Sequence, residues 1–180
     1  MHTIAESYAR SLIEQTSQFH PSWMSKKYLY FHIKQVITDA LLLTNKKSDK
    51  NIVIAGWFHD LGRTRTDKGH EKESWRLVEP TLIKLSLSTS SFEIIRDCIL
   101  NHGSKMQPTT EIGLAFQAAD KLAKFSEFVL EDLKVRMKDN NLIMQSFEHS
   151  LEKLKKIGHE RAIQIAEARL NKIIERLNSE

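Results

Sequence analysis

Six residues of the types that bind metal ions occur in an ordered series along this chain. All of them lie in or beside apolar segments; in chain order they are His32, His59, Asp60, His70, His102 and Asp120. Imidazole and carboxylate groups together suit iron, manganese, zinc, cobalt or nickel. An ion held by such groups lowers the pKa of a bound water, which then becomes a nucleophile near neutral pH. The series therefore predicts a hydrolytic metal site.

The adjacent pair His59 and Asp60 limits where the ion can lie. Neighbouring residues on a helix point about 100° apart, so both can reach one ion only beside the end of the helix. His32 and Asp120 then complete the set and leave open positions for water or substrate. The remaining histidines can hold a second ion that is bridged to the first through Asp60. Whether one or two ions bind stays open at this point.

Each of these residues also has a purely structural interpretation. A histidine on an apolar stripe, such as His32, is more often a hydrogen-bonded core residue than a ligand. His102 can stabilise the C-terminal end of a helix through the macrodipole, and Asp120 can form a solvated pair with Lys121. The combination favours ligation, because polar groups with apolar flanks need buried partners.

Helices must position these residues, because no segment alternates as a strand partner would need to. The apolar spacing predicts helices over about 3–18, 25–43, 51–62, 70–85, 92–102, 126–138, 142–157 and 160–178, and one from about 111 that carries Asp120. Gly62 is predicted to stop the third helix and Gly158 to separate the last two. Ser91 is predicted to be an N-cap. Leu114, Ala118 and Leu122 are predicted to mark an inner face.

The scarcity of turn-forming residues supports an all-α fold. Only six Gly and three Pro occur in 180 residues, which favours long helices. We expect a single-domain helical bundle over 1–180, with a motif-bearing core at about 25–125 and a helical extension at about 126–180. An apolar seam in the last helix, Ile163 to Leu177, is expected to pack on the same domain or to join a second copy as a homodimer.

Charge and composition exclude several other classes of protein. The net charge of +4 is too modest to argue for specific nucleic-acid binding, which needs a concentrated basic face. No apolar run approaches the roughly 20 residues of a membrane span. The N-terminus lacks the features of a signal peptide, so we expect a cytoplasmic protein that does not bind membranes. Cys98, the only cysteine, is expected to be a small buried hydrophobic residue.

The order H…HD…H…H…D resembles the HD-domain superfamily of metal-dependent phosphohydrolases. The stretches that carry the resemblance span residues about 28–124 and are LYFHIKQV, AGWFHDLGR, DKGHEKES, ILNHG and AADKL. The resemblance implies an all-helical fold and hydrolysis of a phosphate ester or anhydride, often of a nucleotide. It implies that the first metal is bound by His32, His59, Asp60 and Asp120, and that His70 and His102 complete a second site.

Two departures from the motifs of the superfamily narrow the range of expected substrates. ILNHG offers one histidine where the cyclic-dinucleotide phosphodiesterases of the superfamily have a pair, and their glycine-tyrosine-proline motif is absent. The chain is more similar to small HD hydrolases that act on nucleotides, including those that act on dinucleoside polyphosphates. The expected partner is therefore a small phosphorylated substrate.

Cationic residues near the predicted ligands can bind phosphate oxygens. Arg63 and Lys121 are the foremost candidates and, with Asp60 orienting the water, form the predicted catalytic set. Two other functions remain open. A regulatory HD module would bind metal and nucleotide without turnover, and a nucleic-acid-binding protein would show binding that weakens steeply with salt.

Overall fold

Nine α-helices and one 3-10 turn make up the regular structure of residues 2–179, the part of the chain that this computed structural model describes. The helices are α1 His2–Gln15, α2 Lys26–Leu43, α3 Lys50–Phe58, α4 His70–Lys84, α5 Thr89–Asn101, α6 Glu111–Leu122, α7 Glu127–Met137, α8 Asn140–Ile157 and α9 Glu160–Asn178. No strand occurs within this range, so the all-α prediction is confirmed. None of the helices within it has the length and apolar character to cross a bilayer.

Polar side chains begin most of these helices. Ser25, Asp49 and Thr110 each accept a hydrogen bond from a backbone N–H in the first turn of α2, α3 and α6, which satisfies a donor that the helix itself leaves free. The prediction of Ser91 as an N-cap is wrong. Ser88 takes that position by accepting from the Ser91 N–H at 3.2 Å, so α5 begins about three residues earlier than its apolar pattern indicated.

The centre of the fold is the packing of α2 against α6. The predicted inner stripe of α2 is buried along its whole length, from Tyr28 to Leu43. On α6, Ala118 and Leu122 are fully buried, but Leu114 is 40% exposed. The prediction for Leu114 is wrong because the first turn of α6 borders an open surface depression beside Lys156. Cys98 is fully buried, as expected, and burial raises the pKa of its thiol.

The C-terminal helices pack onto the core of the same chain. Gly158 ends α8 in the left-handed conformation with a φ of 77°, as predicted for the residue that separates α8 from α9. Helix α9 contacts α8 and α6, and its seam residues Ala166, Leu170, Ile173 and Leu177 are buried while Ile163 is only partly so. The seam is thus covered within the chain.

The predicted role of Gly62 as a helix stop is wrong. Helix α3 ends at Phe58, and Gly62 lies in the 3-10 turn Leu61–Thr64. A Cβ at this position would lie 2.1 Å from the backbone oxygen of His70 and 2.7 Å from the backbone nitrogen of Ser74. The Gly62 N–H also donates to Ser74 Oγ at 2.7 Å. Gly62 is therefore needed for the close approach of the turn to the start of α4.

We expect Gly62→Ala to destabilise the fold by about 1–3 kcal/mol, the usual cost of inserting a methyl group into a packed site. The backbone of α4 must shift to make room, because no flexible side chain can give way there. Urea unfolding of Gly62→Ala and of Gly103→Ala checks this. At Gly103 an added Cβ meets the end of the Glu71 side chain at 3.0 Å and Met106 Cγ at 3.3 Å. Both belong to flexible side chains rather than to backbone, so the free energy of unfolding should change by less than about 0.5 kcal/mol. Equal losses in the two variants would contradict the prediction.

Candidate metal centre

The six residues of the predicted series converge on one place in the fold. His32 lies in the middle of α2 and Asp120 in α6, and α2 packs against α6. His59 caps the C-terminal end of α3, and Asp60 follows directly. His70 is the first residue of α4, and His102 caps the C-terminal end of α5. All six are less than 9% exposed, so every one of these polar side chains needs a partner within the protein.

Three of the residues form a first group that can hold a metal ion, namely His32, His59 and Asp120. The Nε2 atoms of the two histidines lie 3.3 Å apart. His32 Nε2 is 3.0 Å from Asp120 Oδ1, and His59 Nε2 is 3.9 Å from the same oxygen. These ligand atoms thus surround one small volume.

The other three residues, Asp60, His70 and His102, form a second group. The Nε2 atoms of its histidines lie 3.2 Å apart, and Asp60 Oδ1 is 3.2 Å from His70 Nε2 and 3.5 Å from His102 Nε2. The other oxygen of Asp60, Oδ2, faces the first group, at 3.5 Å from His32 Nε2 and 3.7 Å from His59 Nε2. Asp60 is therefore placed between the two groups, with one oxygen toward each.

Hydrogen bonds to the backbone fix which nitrogen of three histidines carries the proton. The Nδ1 atoms of His59, His70 and His102 lie 2.8–3.0 Å from the carbonyl oxygens of Gly56, Asp67 and Ile99, respectively. A carbonyl can only accept, so each Nδ1 donates and Nε2 is the atom of each ring that faces the cluster and can bind a cation. Histidines that bind metals almost always donate their other ring N–H in this way.

The arrangement fits divalent cations. Two ligand nitrogens at about 2.1 Å from one ion lie about 3.0 Å apart at a right angle and about 3.4 Å apart at the tetrahedral angle. The observed separations of 3.3 and 3.2 Å fall between these values. In the second group two lone pairs face each other, which is unfavourable unless a cation or a proton lies between them. Asp60 Oδ1 is also buried without a hydrogen bond, although Arg63 Nε lies 3.0 Å away as an ion pair.

Electrostatics keep His59, Asp60 and Asp120 in the protonation states that ligation requires. Burial lowers the pKa of His59 to about 3, so this ring is neutral near pH 7. Burial alone would raise the pKa of Asp60, but the charge of the Arg63 guanidinium holds it well below its usual range. Asp120 shows the same balance, with burial opposed by Lys121 and His32, and its pKa is likewise well below normal. Both carboxyl groups are therefore ionised.

A cavity of about 240 Å³ opens onto the metal centre and is lined by cationic side chains. Both predicted cationic residues, Arg63 and Lys121, line it. However, Arg63 forms ion pairs with Asp60 and Asp67, and Lys121 pairs with Asp120. Sequence reasoning missed a third cation in this cavity, Lys124. Its spacing from Asp120 was an available signal, because residues four apart lie on the same face of a helix.

Two further buried polar residues that the sequence did not reveal hold the loop after His102. Asp97 accepts hydrogen bonds from the backbone N–H groups of Thr109 and Thr110. Burial acts to raise its pKa, but hydrogen bonds from the Asn101 and Thr110 side chains, together with these N–H groups, lower it. The amide of Gln117 donates to the backbone oxygens of Asn101, Gly103 and Met106. The loop that follows the His102 ligand position is thereby fixed from both sides.

Comparison with known proteins identifies the family. The family model described as the HD domain matches residues 29–125, which is more than half of the chain and includes all six residues of the metal centre. The HD domain is typically the fold of metal-dependent hydrolases. Comparisons with curated proteins and with solved structures give no match. The extent of the family match shows that this chain belongs to the HD-domain family.

Proposed function

We propose that this protein is a metal-dependent phosphohydrolase that cleaves a phosphate ester or anhydride of a nucleotide or a similar small metabolite. One observation carries the proposal: the two oxygens of Asp60 each face a pair of imidazoles, at the base of a cavity that Arg63, Lys121 and Lys124 line. His32, His59 and Asp120 would hold one ion and Asp60, His70 and His102 a second, and two ions would suit the clamping of the attacking and leaving oxygens of phosphoryl transfer. The cationic wall suits the phosphate itself.

The reaction adds one water to the substrate. The water oxygen forms a bond to phosphorus, the bond from phosphorus to the leaving oxygen breaks, and a proton from the water passes to the leaving oxygen. An ion held by the histidines and aspartates would supply an activated water near neutral pH and neutralise charge on the phosphate. Iron, manganese, zinc, cobalt or nickel would suit this set of nitrogen and oxygen ligands.

The residues of the chain have distinct tasks in this proposal. Asp60 orients the water and is itself held by Arg63. Lys121 and Lys124 face the cavity from α6 and the turn after it, where their ammonium groups can bind phosphate oxygens as point charges. His59 and His102, fixed through Nδ1, remain ligands rather than proton donors. Catalysis thus depends on positioning and electrostatic stabilisation.

Two measurements test the proposal together. Protein purified without chelator is analysed for metal content, and phosphate release is then followed over a panel of nucleotides and sugar phosphates. We expect one or two divalent ions per chain and turnover of at least one class of substrate. The variant His102→Asn should lose metal from the second group and lose turnover, whereas His149→Asn, which alters an exposed histidine of α8, should do neither.

The possible outcomes separate the enzyme from a regulatory module. Tight binding of metal and nucleotide without any product over time would favour the module. Protein that binds no divalent ion, or a His102→Asn variant that keeps the metal content and turnover of the unmodified chain, would contradict the proposal.

A further inference from the structure

A second cavity of about 140 Å³ adjoins the one that opens onto the metal centre. The two share the side chains of Trp23, Tyr28 and Lys124 as a common boundary. Beyond this boundary the walls come from α7 and α8 and are mainly apolar, with Val129, Leu133, Met137 and Phe147 among them. A molecule whose phosphate lies near Asp60 would therefore have an apolar chamber within reach.

The aromatic boundary of this chamber is ordered by specific contacts. The rings of Trp23 and Tyr28 meet edge to face with their centroids 5.0 Å apart. The guanidinium of Arg136 lies over the Trp23 ring at 4.3 Å from its centroid, a cation–π geometry. Arg136 is in turn held by Asp132 through an ion pair of 2.8 Å. The chamber is thus a built feature of the fold rather than a gap between loose side chains.

The size of the chamber limits what it can hold. A dry cavity of about 150 Å³ lined by apolar side chains is large enough for one benzene molecule. At about 140 Å³, the present chamber accommodates one six-membered ring or a short hydrocarbon chain. Polar side chains also line it, but Arg136 is engaged by Asp132 and the Ser150 hydroxyl already donates to the backbone oxygen of Ser146 at 2.9 Å. A strongly polar group would compete with these existing contacts.

Most walls of the chamber lie outside the part of the chain that the family model matches. The family match covers residues 29–125, and every wall of the chamber except Lys124 lies outside that range. Sites added to a shared fold are where members of one family can differ in the substrate that they take. The helical extension after residue 125 would then have a functional role, in addition to covering the core.

We propose that this chamber is the subsite for the organic group of the substrate, and that the substrate is a phosphate ester bearing a single ring or a group of similar size and apolar character. This inference rests on the proposed phosphohydrolase function and specifies its substrate class. The phosphate lies toward Asp60, Lys124 stands at the junction of the two cavities, and the ring lies between Trp23 and Phe147. Burial of the ring contributes binding free energy that a ring-free ester lacks.

The test compares benzyl phosphate with methyl phosphate, whose leaving groups are both simple alcohols. We expect the metal-loaded protein to hydrolyse benzyl phosphate with a kcat/KM at least about tenfold higher, since even one methylene in an apolar pocket is worth that much. Ser146 lines the chamber from α8 and is only partly buried, so Ser146→Phe places a ring inside it. This variant should lose the preference for benzyl phosphate and keep its activity on methyl phosphate. Gln145→Phe, at the exposed neighbouring position, should behave like the unmodified chain.

A binding measurement separates the failure of this inference from that of the proposed function. Benzylphosphonate has a carbon–phosphorus bond in place of the ester bond, so it cannot be hydrolysed as an ester. Its binding to the unmodified chain, to Ser146→Phe and to Gln145→Phe is measured by ligand-observed NMR. If the unmodified chain and Gln145→Phe bind benzylphosphonate and Ser146→Phe does not, the subsite is supported. If in addition no ester is turned over, only the hydrolase proposal fails. Equal turnover of both esters, or binding that Ser146→Phe leaves intact, overturns the subsite. If Ser146→Phe does not fold, as judged by its thermal unfolding, Ser146→Leu fills the same space and is read in the same way.

Discussion

Replacing Asp60 by Asn is expected to lower phosphate release at least about 100-fold and to reduce the bound metal. Replacing a residue that merely orients metal ligands already lowers metal affinity or activity about 10- to 100-fold. Asp60 lies between both groups of candidate ligands, so its loss should cost more. An amide keeps the shape of the carboxylate but offers one oxygen and no charge. It therefore cannot face both groups with an anionic oxygen. The measurements are kcat/KM on the best substrate of the panel and metal ions per chain.

The control for this variant is Glu93→Gln, which removes a carboxylate from the exposed face of α5, the helix that leads to His102. Glu93 has only a long, exposed ion pair of 3.8 Å with Arg96, so the metal content and the rate should not change. Thermal unfolding of the metal-free proteins shows whether Asp60→Asn still folds. An Asp60→Asn protein that folds and keeps both its metal and its rate would contradict the assignment of Asp60 as a shared ligand.

The metal centre illustrates what a sequence can and cannot reveal. The types and order of its six residues are visible in the chain, and the apolar flanks of His32 and Asp120 correctly indicated burial. The distances between them were not accessible, because they depend on how α2, α3, α4, α5 and α6 pack together. The resemblance to the HD-domain superfamily indicated that the six residues converge, and the structure adds the distances that place Asp60 between two groups, as its predicted bridging role requires.

Local errors in the prediction have local physical causes. Gly62 was interpreted through its conformational freedom, whereas its importance lies in the 2.1 Å approach of the α4 backbone, a tertiary contact. Ser91 was predicted to be the N-cap from its place before the apolar pattern, but several serines occur there and only the backbone geometry selects Ser88. Leu114 fits the helical period of α6 but lies beyond the edge of the core. In each case the pattern was local and the deciding contact was not.

A second large effect is expected where the C-terminal helix is joined to the core by an ion pair that no pattern predicted. Asp39 of α2 is fully buried and accepts from both terminal nitrogens of Arg169 in α9, at 2.6 and 3.0 Å. The two residues are 130 positions apart. Gln35 also donates to Asp39 at 3.1 Å. Charge pairs of this kind are invisible to periodicity, since an isolated Asp and Arg on two helices look like solvated residues.

We expect Arg169→Met to lower the free energy of unfolding by about 3 kcal/mol, because it leaves the buried Asp39 carboxylate without its cation. The value is placed at the low end of the range for buried pairs, since the Arg169 side chain is 27% exposed and water can partly replace it. Urea unfolding measures the change.

Lys155→Met is the matched control. Lys155 pairs with Glu167 between α8 and α9 at 3.0 Å, and both side chains are about half exposed. The loss of this pair should therefore lower the free energy of unfolding by less than about 1 kcal/mol. If both variants lose the same free energy of unfolding, the ion pair with Asp39 does not hold α9 against the core more strongly than an exposed pair does. If the double variant Asp39→Asn, Arg169→Met regains part of the loss, the cost arises from the unpaired buried charge.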